Sequence, residues 1–310
     1  MAEMNSTRHQ GEPEVIRSAT VGNHRSRHGS RLRTVGACLA ILTLVGLGAG
    51  CSSGDDSASG GDDSATTQES STTTTAPEPE LPTVLVTNDD GVGAEGIDAL
   101  VTALVDRGDV EVVVVAPAAN QSGSGGKTTP GELVAADATT VSGHEAKAVD
   151  GFPADSVRWA LQDEGIEADL VISGINEGQN IGPLVDISGT VGAARQAAQL
   201  GVPAVATSQG GGDPVDFPSG VAATMQWLDE NYDALVGGTL GTDSIININT
   251  PSCPAGAPRG EARVPLAVAS DVDLTAVDCE GPGEPIDDVN AFVNGWIAVS
   301  PLEPTGSITG

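Results

Sequence analysis

From Thr83 onward, short runs of branched apolar residues alternate with longer stretches in which apolar residues recur every three or four positions. The short runs are typical of buried strands, and the longer stretches of helices that pack one face on a sheet. The alternation predicts an α/β domain with a mostly parallel, Rossmann-like sheet flanked by helices. The predicted strands cover residues 83–88, 110–116, 169–173, 202–207, 244–249 and 295–300. The predicted helices cover residues 97–107, 155–162, 190–200 and 221–232, with Asp155 as a candidate cap.

The charge of the chain excludes some classes of partner. Six of the 13 basic residues but only three of the 43 acidic residues precede Thr34, so the rest of the chain is more acidic than the net charge of −30 suggests. Such a surface repels nucleic-acid polymers and anionic lipid headgroups. It does not exclude a small phosphate ester, because a bound divalent cation reverses the local field. Solubility or a salty habitat would explain the same composition.

Residues 1–50 have the pattern of a secretory signal peptide. Arg31 and Arg33 precede an apolar run over residues 35–49 that ends in small residues, and Cys51 follows directly. This arrangement resembles a bacterial lipoprotein signal with Cys51 as the lipidation site. The alternative is a transmembrane anchor, although the run is shorter than the roughly 20 residues that span a membrane. We therefore expect an extracytoplasmic protein that is lipid-anchored to the cell membrane, or secreted.

The chain after Cys51 divides into a linker and a folded domain. Residues 52–81 consist mainly of Ser, Thr, Asp, Gly and Pro, which predicts a disordered linker, and residues 82–310 form the predicted domain. The domain contains two cysteines, Cys253 and Cys279. Outside the cytoplasm an even pair suggests a disulfide, and the alternative is two separate thiols.

Two adjacent carboxylates, Asp89 and Asp90, follow the first predicted strand. Adjacent carboxylates repel each other unless a cation lies between them, and Mg²⁺ and Mn²⁺ prefer oxygen ligands of this kind. Ligands of parallel sheets bind beyond the carboxyl ends of the strands, where this pair falls. The pattern favours a metal site, and the alternative is an ordinary Asp-Asp-Gly turn on the surface.

Polar residues also follow other predicted strands. Residues 120–127 form a Gly/Ser-rich loop that ends at Lys127, and Ser188, Gly189 and Thr190 open the Ala-rich helix. Backbone N–H groups in such loops and at helix N-termini bind phosphate. The alternatives are a flexible loop and an ordinary helix cap. His144 is the only histidine after Cys51 and lies in a turn-rich segment, so we expect a surface residue rather than the base of a catalytic triad.

Together these segments resemble the SurE family of survival-protein phosphatases. The residues that carry the resemblance are ordered along the chain and span nearly all of the predicted domain. They are residues 86–91, 115–117, 120–123, 150–157, 173–176 with Asn180, and 188–191, with weaker matches at 246–249 and 295–302. The family consists of nucleoside 5′/3′-monophosphate phosphatases that use a divalent metal.

The resemblance implies a role for each matching residue. It implies that Mg²⁺ or Mn²⁺ is bound by Asp89, Asp90, Ser122 and Asn176, with Asp89 and Asp90 as the catalytic residues. It implies that the phosphate is surrounded by Asn88, Asn180, Ser188, Gly189 and Thr190. Asp89 is the better candidate to orient or deprotonate the attacking water.

Other expectations concern oligomerisation and competing functions. Residues 251–285 look shorter than the arm that family members exchange between subunits, so a homodimer is expected but with an altered C-terminal arm region. A disulfide between Cys253 and Cys279 would stabilise this segment. The competing function is a non-catalytic surface lipoprotein that binds nucleotides or phosphate. A haloacid-dehalogenase-like phosphatase is disfavoured because it requires one residue between its two aspartates.

Overall fold

Buried aliphatic strands form the centre of the fold, in the part of the chain, residues 80–306, that the computed structural model describes. The strands are β1 (Thr83–Thr87), β2 (Glu111–Pro117), β3 (Ala135–Thr139), β4 (Glu145–Val149), β5 (Leu170–Glu177), β6 (Ala204–Gln209), β7 (Ile245–Thr250), β8 (Glu261–Arg263) and β9 (Ile297–Leu302). The helices are α1 (Glu95–Arg107), α2 (Pro153–Arg158), α3 (Gly189–Gln199), α4 (Phe217–Val236) and α5 (Asp288–Val293). A π-helical turn (Trp159–Asp163) and a 3₁₀ turn (Gly182–Asp186) complete the described elements.

All of these strands belong to one sheet, in the order β3-β4-β2-β1-β5-β6-β7-β9-β8. The strands from β4 to β7 in this order run parallel, whereas β3 and β9 are antiparallel to β4 and β7. The predicted α/β fold with a mostly parallel sheet is therefore confirmed. Its order places β1 between β2 and β5, so the loops after these three strands meet at one edge.

The two faces of the sheet are covered by different helices. Val84 and Val86 of β1 pack in the cluster that contains α1 and α4. Leu85, whose side chain points to the other face, packs in the cluster that contains α2 and α3. Since the strands are buried on both sides, they appear in the sequence as continuous apolar runs.

Some elements differ from the sequence prediction. The hairpin of β3 and β4 was not predicted, because its strands are rich in Ala and charged residues and lie at the edge of the sheet. Helix α2 begins at Pro153 rather than Asp155. Asp155 is therefore not the cap but the third helical residue, and its carboxylate accepts hydrogen bonds from the backbone N–H groups of Phe152 and Thr129.

The expected membrane-targeting features fall largely outside this part of the chain. The predicted signal peptide, the lipidation site Cys51 and the linker up to residue 79 lie outside the described residues. Within residues 80–306, no helix combines the length and the hydrophobicity that crossing a membrane requires.

Candidate active site

The loops after β1, β2 and β5 meet around Asp90. Asn120 Nδ2 donates a hydrogen bond to Asp90 Oδ1 at 3.0 Å, and Ser122 Oγ lies 3.5 Å from the same oxygen. The backbone N–H of Glu177, the neighbour of Asn176 at the end of β5, donates to Asp90 Oδ2 at 3.0 Å. The topology thus gathers polar groups that lie 30 to 87 residues from Asp90 in the sequence.

Asp89 is held against the N-terminus of α3. Its side chain is buried, and Thr190 Oγ1 donates a hydrogen bond to Asp89 Oδ1 at 2.7 Å. Burial raises the pKa of Asp89, the hydrogen bonds from Thr190 oppose this, and the charge of Asp90 raises it further. Burial also raises the pKa of Asp90, against the hydrogen bonds of Glu177, Ser122 and Asn120. The negative charges of both aspartates are therefore costly in the protein alone, and a bound cation would relieve that cost.

Asn88 shapes the loop that carries the aspartates. Its Nδ2 donates to the carbonyl of Gly91 at 2.9 Å, and its Oδ1 accepts from the N–H of Gly91 at 3.2 Å. Gly91 has a φ of 100°, a conformation that other residues rarely adopt. Both polar side-chain atoms of Asn88, a predicted phosphate ligand, therefore form hydrogen bonds that close this turn.

Residues 188–190 start α3 beside Asp89. Ser188 is the N-cap, and its hydroxyl accepts from the N–H of Val191 at 3.1 Å. A Cβ atom on Gly189 would lie 2.7 Å from the Cβ of Asp89, so only glycine permits this close approach. Of the predicted phosphate ligands in this segment, Thr190 uses its hydroxyl on Asp89, and Ser188 uses its hydroxyl on the N–H of Val191.

Asn176 and Asn180 flank the end of β5 in different ways. Asn176 Nδ2 donates to the carbonyl of Gly178 at 2.5 Å, which leaves its Oδ1 as the atom available to a cation. Asn180 is buried: its Nδ2 donates to Ser208 Oγ at 2.9 Å, and its N–H donates to Asn249 Oδ1 at 2.7 Å. Its carbonyl accepts from the side chains of Asn247 and Asn249. Asn180 is thus fixed by side chains of β6 and β7, and the sequence match to the SurE family around β7 was only weak.

The donors at this edge fit a hard divalent cation. They comprise the carboxylates of Asp89 and Asp90, the hydroxyl of Ser122 and the amide oxygen of Asn176, which are the oxygen ligands that Mg²⁺ and Mn²⁺ prefer. Among residues 80–306, no three side chains of His, Cys, Asp or Glu are grouped as a metal site. A cation here would therefore need neutral oxygens or water besides the two carboxylates.

Comparisons with known proteins place this arrangement in a family. The family model described as survival protein SurE matches residues 84–269. The chain belongs to the SurE family.

Individual members of the SurE family are also similar to this chain. A 5′-nucleotidase SurE from Brevibacillus brevis is 34% identical over 71% of this chain and 89% of its own length. A 5′-nucleotidase SurE from Halobacterium salinarum is 41% identical over 55% of this chain and 65% of its own length. The crystal structure of the SurE protein from Aquifex aeolicus superimposes with a TM-score of 0.59 at 28% identity, covering 73% of this chain and 95% of that one.

The C-terminal region of this SurE-family chain is tied to the site by polar contacts. Cys253 and Cys279 form a disulfide, with their Cα atoms 5.8 Å apart. Asp288, which is buried, accepts from the N–H of Gly182 at 2.8 Å and from that of Ala267 at 2.7 Å. These bonds join the segment that contains the disulfide to the turn that follows Asn180.

Other residues of the sequence prediction lie elsewhere. His144 contacts Thr102 of α1 (Nε2 to Oγ1, 3.3 Å), and within residues 80–306 no hydrogen bond joins it to Asp89 or Asp90. Lys127 lines a cleft of about 500 Å³ beside α3, together with Arg195. Ser124, in the same loop as Lys127, lies next to Asp89. The sequence analysis did not predict it as a site residue, because nothing distinguishes one serine from another in a Gly/Ser-rich loop.

Proposed function

We propose that this chain is a metal-dependent phosphomonoesterase that hydrolyses nucleoside 5′- or 3′-monophosphates, or related phosphate monoesters, outside the cytoplasm. The observation that carries the proposal is the pair of adjacent carboxylates: Asp89 is buried against the N-terminus of α3, and Asp90 lies where the loops after β2 and β5 meet. The relatives named 5′-nucleotidase support the class of substrate.

In the proposed mechanism, Mg²⁺ or Mn²⁺ would be held by Asp89, Asp90, Ser122 and Asn176. When bound, a divalent cation supplies positive charge to the phosphoryl oxygens and increases the acidity of water. Gly189 lets the start of α3 come close to Asp89, so that N–H groups of the first turn that face the phosphoryl group would stabilise the charge that develops during transfer.

Asp89 orients the attacking water and accepts its proton. Its Oδ1 is occupied by the hydroxyl of Thr190, and its Oδ2 receives no side-chain hydrogen bond from residues 80–306. Because Thr190 fixes the carboxylate, Oδ2 is held in one direction for the water. Asp90, whose two oxygens are both hydrogen-bonded, instead keeps the loops after β2 and β5 together.

The catalytic part of the proposal is tested with two variants and a matched control. Asp89→Asn and Asp90→Asn should each lower kcat by about 100-fold or more, because each removes a charge from the site. Asp137→Asn, which removes an exposed carboxylate paired with Lys147 on the β3–β4 hairpin, should retain activity. Full activity of both site variants with excess Mg²⁺ or Mn²⁺ would rule out this site.

The substrate class is tested with a panel of phosphate monoesters. Nucleoside monophosphates, sugar phosphates and p-nitrophenyl phosphate are each incubated with the purified protein and Mg²⁺, Mn²⁺ or EDTA. We expect phosphate release from nucleoside monophosphates with either metal and none with EDTA. Nucleotide binding without phosphate release would instead support the alternative, a non-catalytic surface lipoprotein.

Export and lipid anchoring form a separate part of the proposal. Their support is the signal-like pattern of residues 1–50, which ends at Cys51. The full chain should be recovered with the membrane fraction of a bacterial host, and Cys51→Ala should release it from that fraction. Equal membrane recovery of the variant and the wild type would contradict lipidation at Cys51.

We also propose that the protein is a homodimer, on the basis of the family resemblance. Light scattering of the purified domain should give twice the mass of one chain. A monomeric mass across the concentration range would contradict this part of the proposal without affecting the catalytic one.

A further inference from the structure

Ser124 has a buried hydroxyl group without a hydrogen-bond partner. The side chain is 7% exposed, and Ser124 Oγ forms no hydrogen bond with any of residues 80–306. A buried hydroxyl without a partner is unfavourable, so native structures usually satisfy it with protein, water or a ligand. The hydroxyl is therefore free to donate a hydrogen bond to a ligand group that reaches it, and its surroundings decide what that group would be.

The Ser124 hydroxyl lies at the start of α3, beside Asp89. Ser124 Oγ and Asp89 Oδ2 are each 2.9 Å from the point that a Cβ atom on Gly189 would occupy. Gly189 is the first residue of α3, where backbone N–H groups have no partner within the helix. The unpartnered hydroxyl and the second oxygen of Asp89 thus both lie close to Gly189, in the first turn of α3.

The loop that carries Ser124 is held rigidly against α3. The N–H of Ser124 donates to the carbonyl of Gln121 at 3.2 Å, and the N–H of Gly125 donates to the carbonyl of Ile187 at 2.9 Å. A Cβ atom on Gly192 of α3 would overlap the carbonyl of Gly125. The hydroxyl is therefore positioned before any ligand binds, which reduces the entropy lost on binding.

The location of Ser124 distinguishes it from the proposed metal ligand Ser122. Ser122 Oγ faces Asp90, at 3.5 Å from its Oδ1, whereas Ser124 lies on the side of Asp89 and α3. A serine hydroxyl can donate a hydrogen bond, and a phosphoryl oxygen is a strong acceptor. The helix N-terminus at the same spot favours an anion.

We propose that Ser124 is a further substrate-contacting residue, whose hydroxyl donates a hydrogen bond to a phosphoryl oxygen of the monoester between Asp89 and the start of α3. The same bond holds the inorganic phosphate product. This inference rests on the proposed phosphomonoesterase function and adds to it a ligand of the phosphoryl group outside the metal-binding set.

The test uses three variants of the full chain. Ser124→Ala removes the hydroxyl. Ser124→Cys keeps a side chain of similar size but replaces the hydroxyl with a weak donor. Ser156→Ala is the matched control, since Ser156 on α2 also has a buried, unpartnered hydroxyl, and no hydrogen bond joins it to the aspartates. Calorimetry measures binding of inorganic phosphate in the presence of Mn²⁺, and separately binding of Mn²⁺ alone.

Ser124→Ala and Ser124→Cys should each weaken phosphate binding by about 10- to 100-fold, because alanine removes the hydrogen bond to a charged group and cysteine replaces it with a much weaker one. The kcat/KM for the best monoester should fall by a similar factor, while the affinity for Mn²⁺ stays within about twofold. Ser156→Ala should bind phosphate and turn over substrate as the wild type does.

Four results would overturn the inference. Unchanged phosphate affinity in Ser124→Ala would show that the hydroxyl does not contact the ligand. Recovery in Ser124→Cys would show that only packing matters, and a loss of Mn²⁺ affinity would make Ser124 a metal ligand instead. If the wild type binds phosphate but hydrolyses no monoester, the proposed function fails while the phosphate measurement still tests Ser124. A wild type that binds no phosphate refutes the inference itself.

Discussion

Replacing Gly189 with alanine tests whether the close approach of α3 to Asp89 is needed for activity. The added Cβ would lie 2.7 Å from Asp89 Cβ and 2.9 Å from both Asp89 Oδ2 and Ser124 Oγ. Ordinary carbon contacts begin near 3.5 Å, so these atoms must separate by about 0.5–0.8 Å. Asp89 cannot yield by rotating its side chain alone, because its Cβ is attached to backbone whose carbonyl accepts from the N–H of Gln121 at 2.7 Å.

The size of the effect follows from two opposing contributions. Overpacking a tight contact costs about 1–3 kcal/mol. Alanine at a helical position is about 0.5–1 kcal/mol more favourable than glycine, which offsets part of that cost. We therefore expect Gly189→Ala to lower the free energy of unfolding by about 0.5–2 kcal/mol. A displacement of more than half an ångström at Asp89 should lower kcat by about 10- to 100-fold.

Gly93→Ala is the matched control for this variant. Gly93 lies in the same loop as the aspartates but is exposed, and a Cβ atom there would meet nothing within 4 Å. Urea denaturation followed by circular dichroism gives the change in stability, and phosphate release with Mn²⁺ gives the change in kcat. If Gly189→Ala matched Gly93→Ala in both measurements, the reasoning about this contact would be refuted.

Three further predictions concern charge and cross-linking. Replacing Cys253 and Cys279 with serine should lower the free energy of unfolding by about 3–4 kcal/mol, because the disulfide closes a loop over a separation of 26 residues and so lowers the entropy of the unfolded chain. A urea midpoint equal to that of the oxidised wild type would contradict this prediction. Asp89→Asn should stabilise the metal-free protein at neutral pH, because burial raises the pKa of Asp89 and makes its ionised form costly. That advantage should vanish as the pH falls well below the unfolded-state pKa of about 3.9, where the carboxyl is protonated in both the folded and the unfolded state. It should grow between that value and the raised folded-state pKa and level off above it, and a gain independent of pH in thermal melts would exclude charge as its cause. Asp288→Ala should cost about 1–3 kcal/mol for each of the three backbone N–H groups that it leaves unpaired, those of Gly182, Ala267 and Val289, against a smaller gain from removing a buried charge. Unchanged stability in urea would show that water replaces the carboxylate.

Much of the central fold was predictable because its signals are local. A strand buried on both faces, such as β1, must be a continuous apolar run, and α3 is marked by its small residues and by Gly201 beyond its end. The hairpin of β3 and β4 lacked such a signal, since an edge strand needs no apolar residues on both faces. Helix α2 was placed two residues late because an aspartate near a helix start can be either the cap or the third residue.

The candidate site shows the same division between local and long-range information. The adjacency of Asp89 and Asp90, and the resemblance of the segments around them to the SurE family, come from the sequence alone. Only the tertiary structure shows that Thr190 fixes the carboxylate of Asp89 and that both polar side-chain atoms of Asn88 bond to Gly91. The reason is that a polar side chain has several potential partners, and only the approach of other elements selects among them.

The sequence by itself therefore determined an α/β domain whose first strand ends in two carboxylates that a cation would stabilise. The tertiary structure alone decided which groups surround them, because β1 lies between β2 and β5 and α3 packs its glycine onto Asp89. These contacts join residues about 30 to 100 positions apart, and no local pattern reports on them. Ser124 is the clearest case, since its hydroxyl is distinguished only by its burial at the meeting point of a loop and a helix.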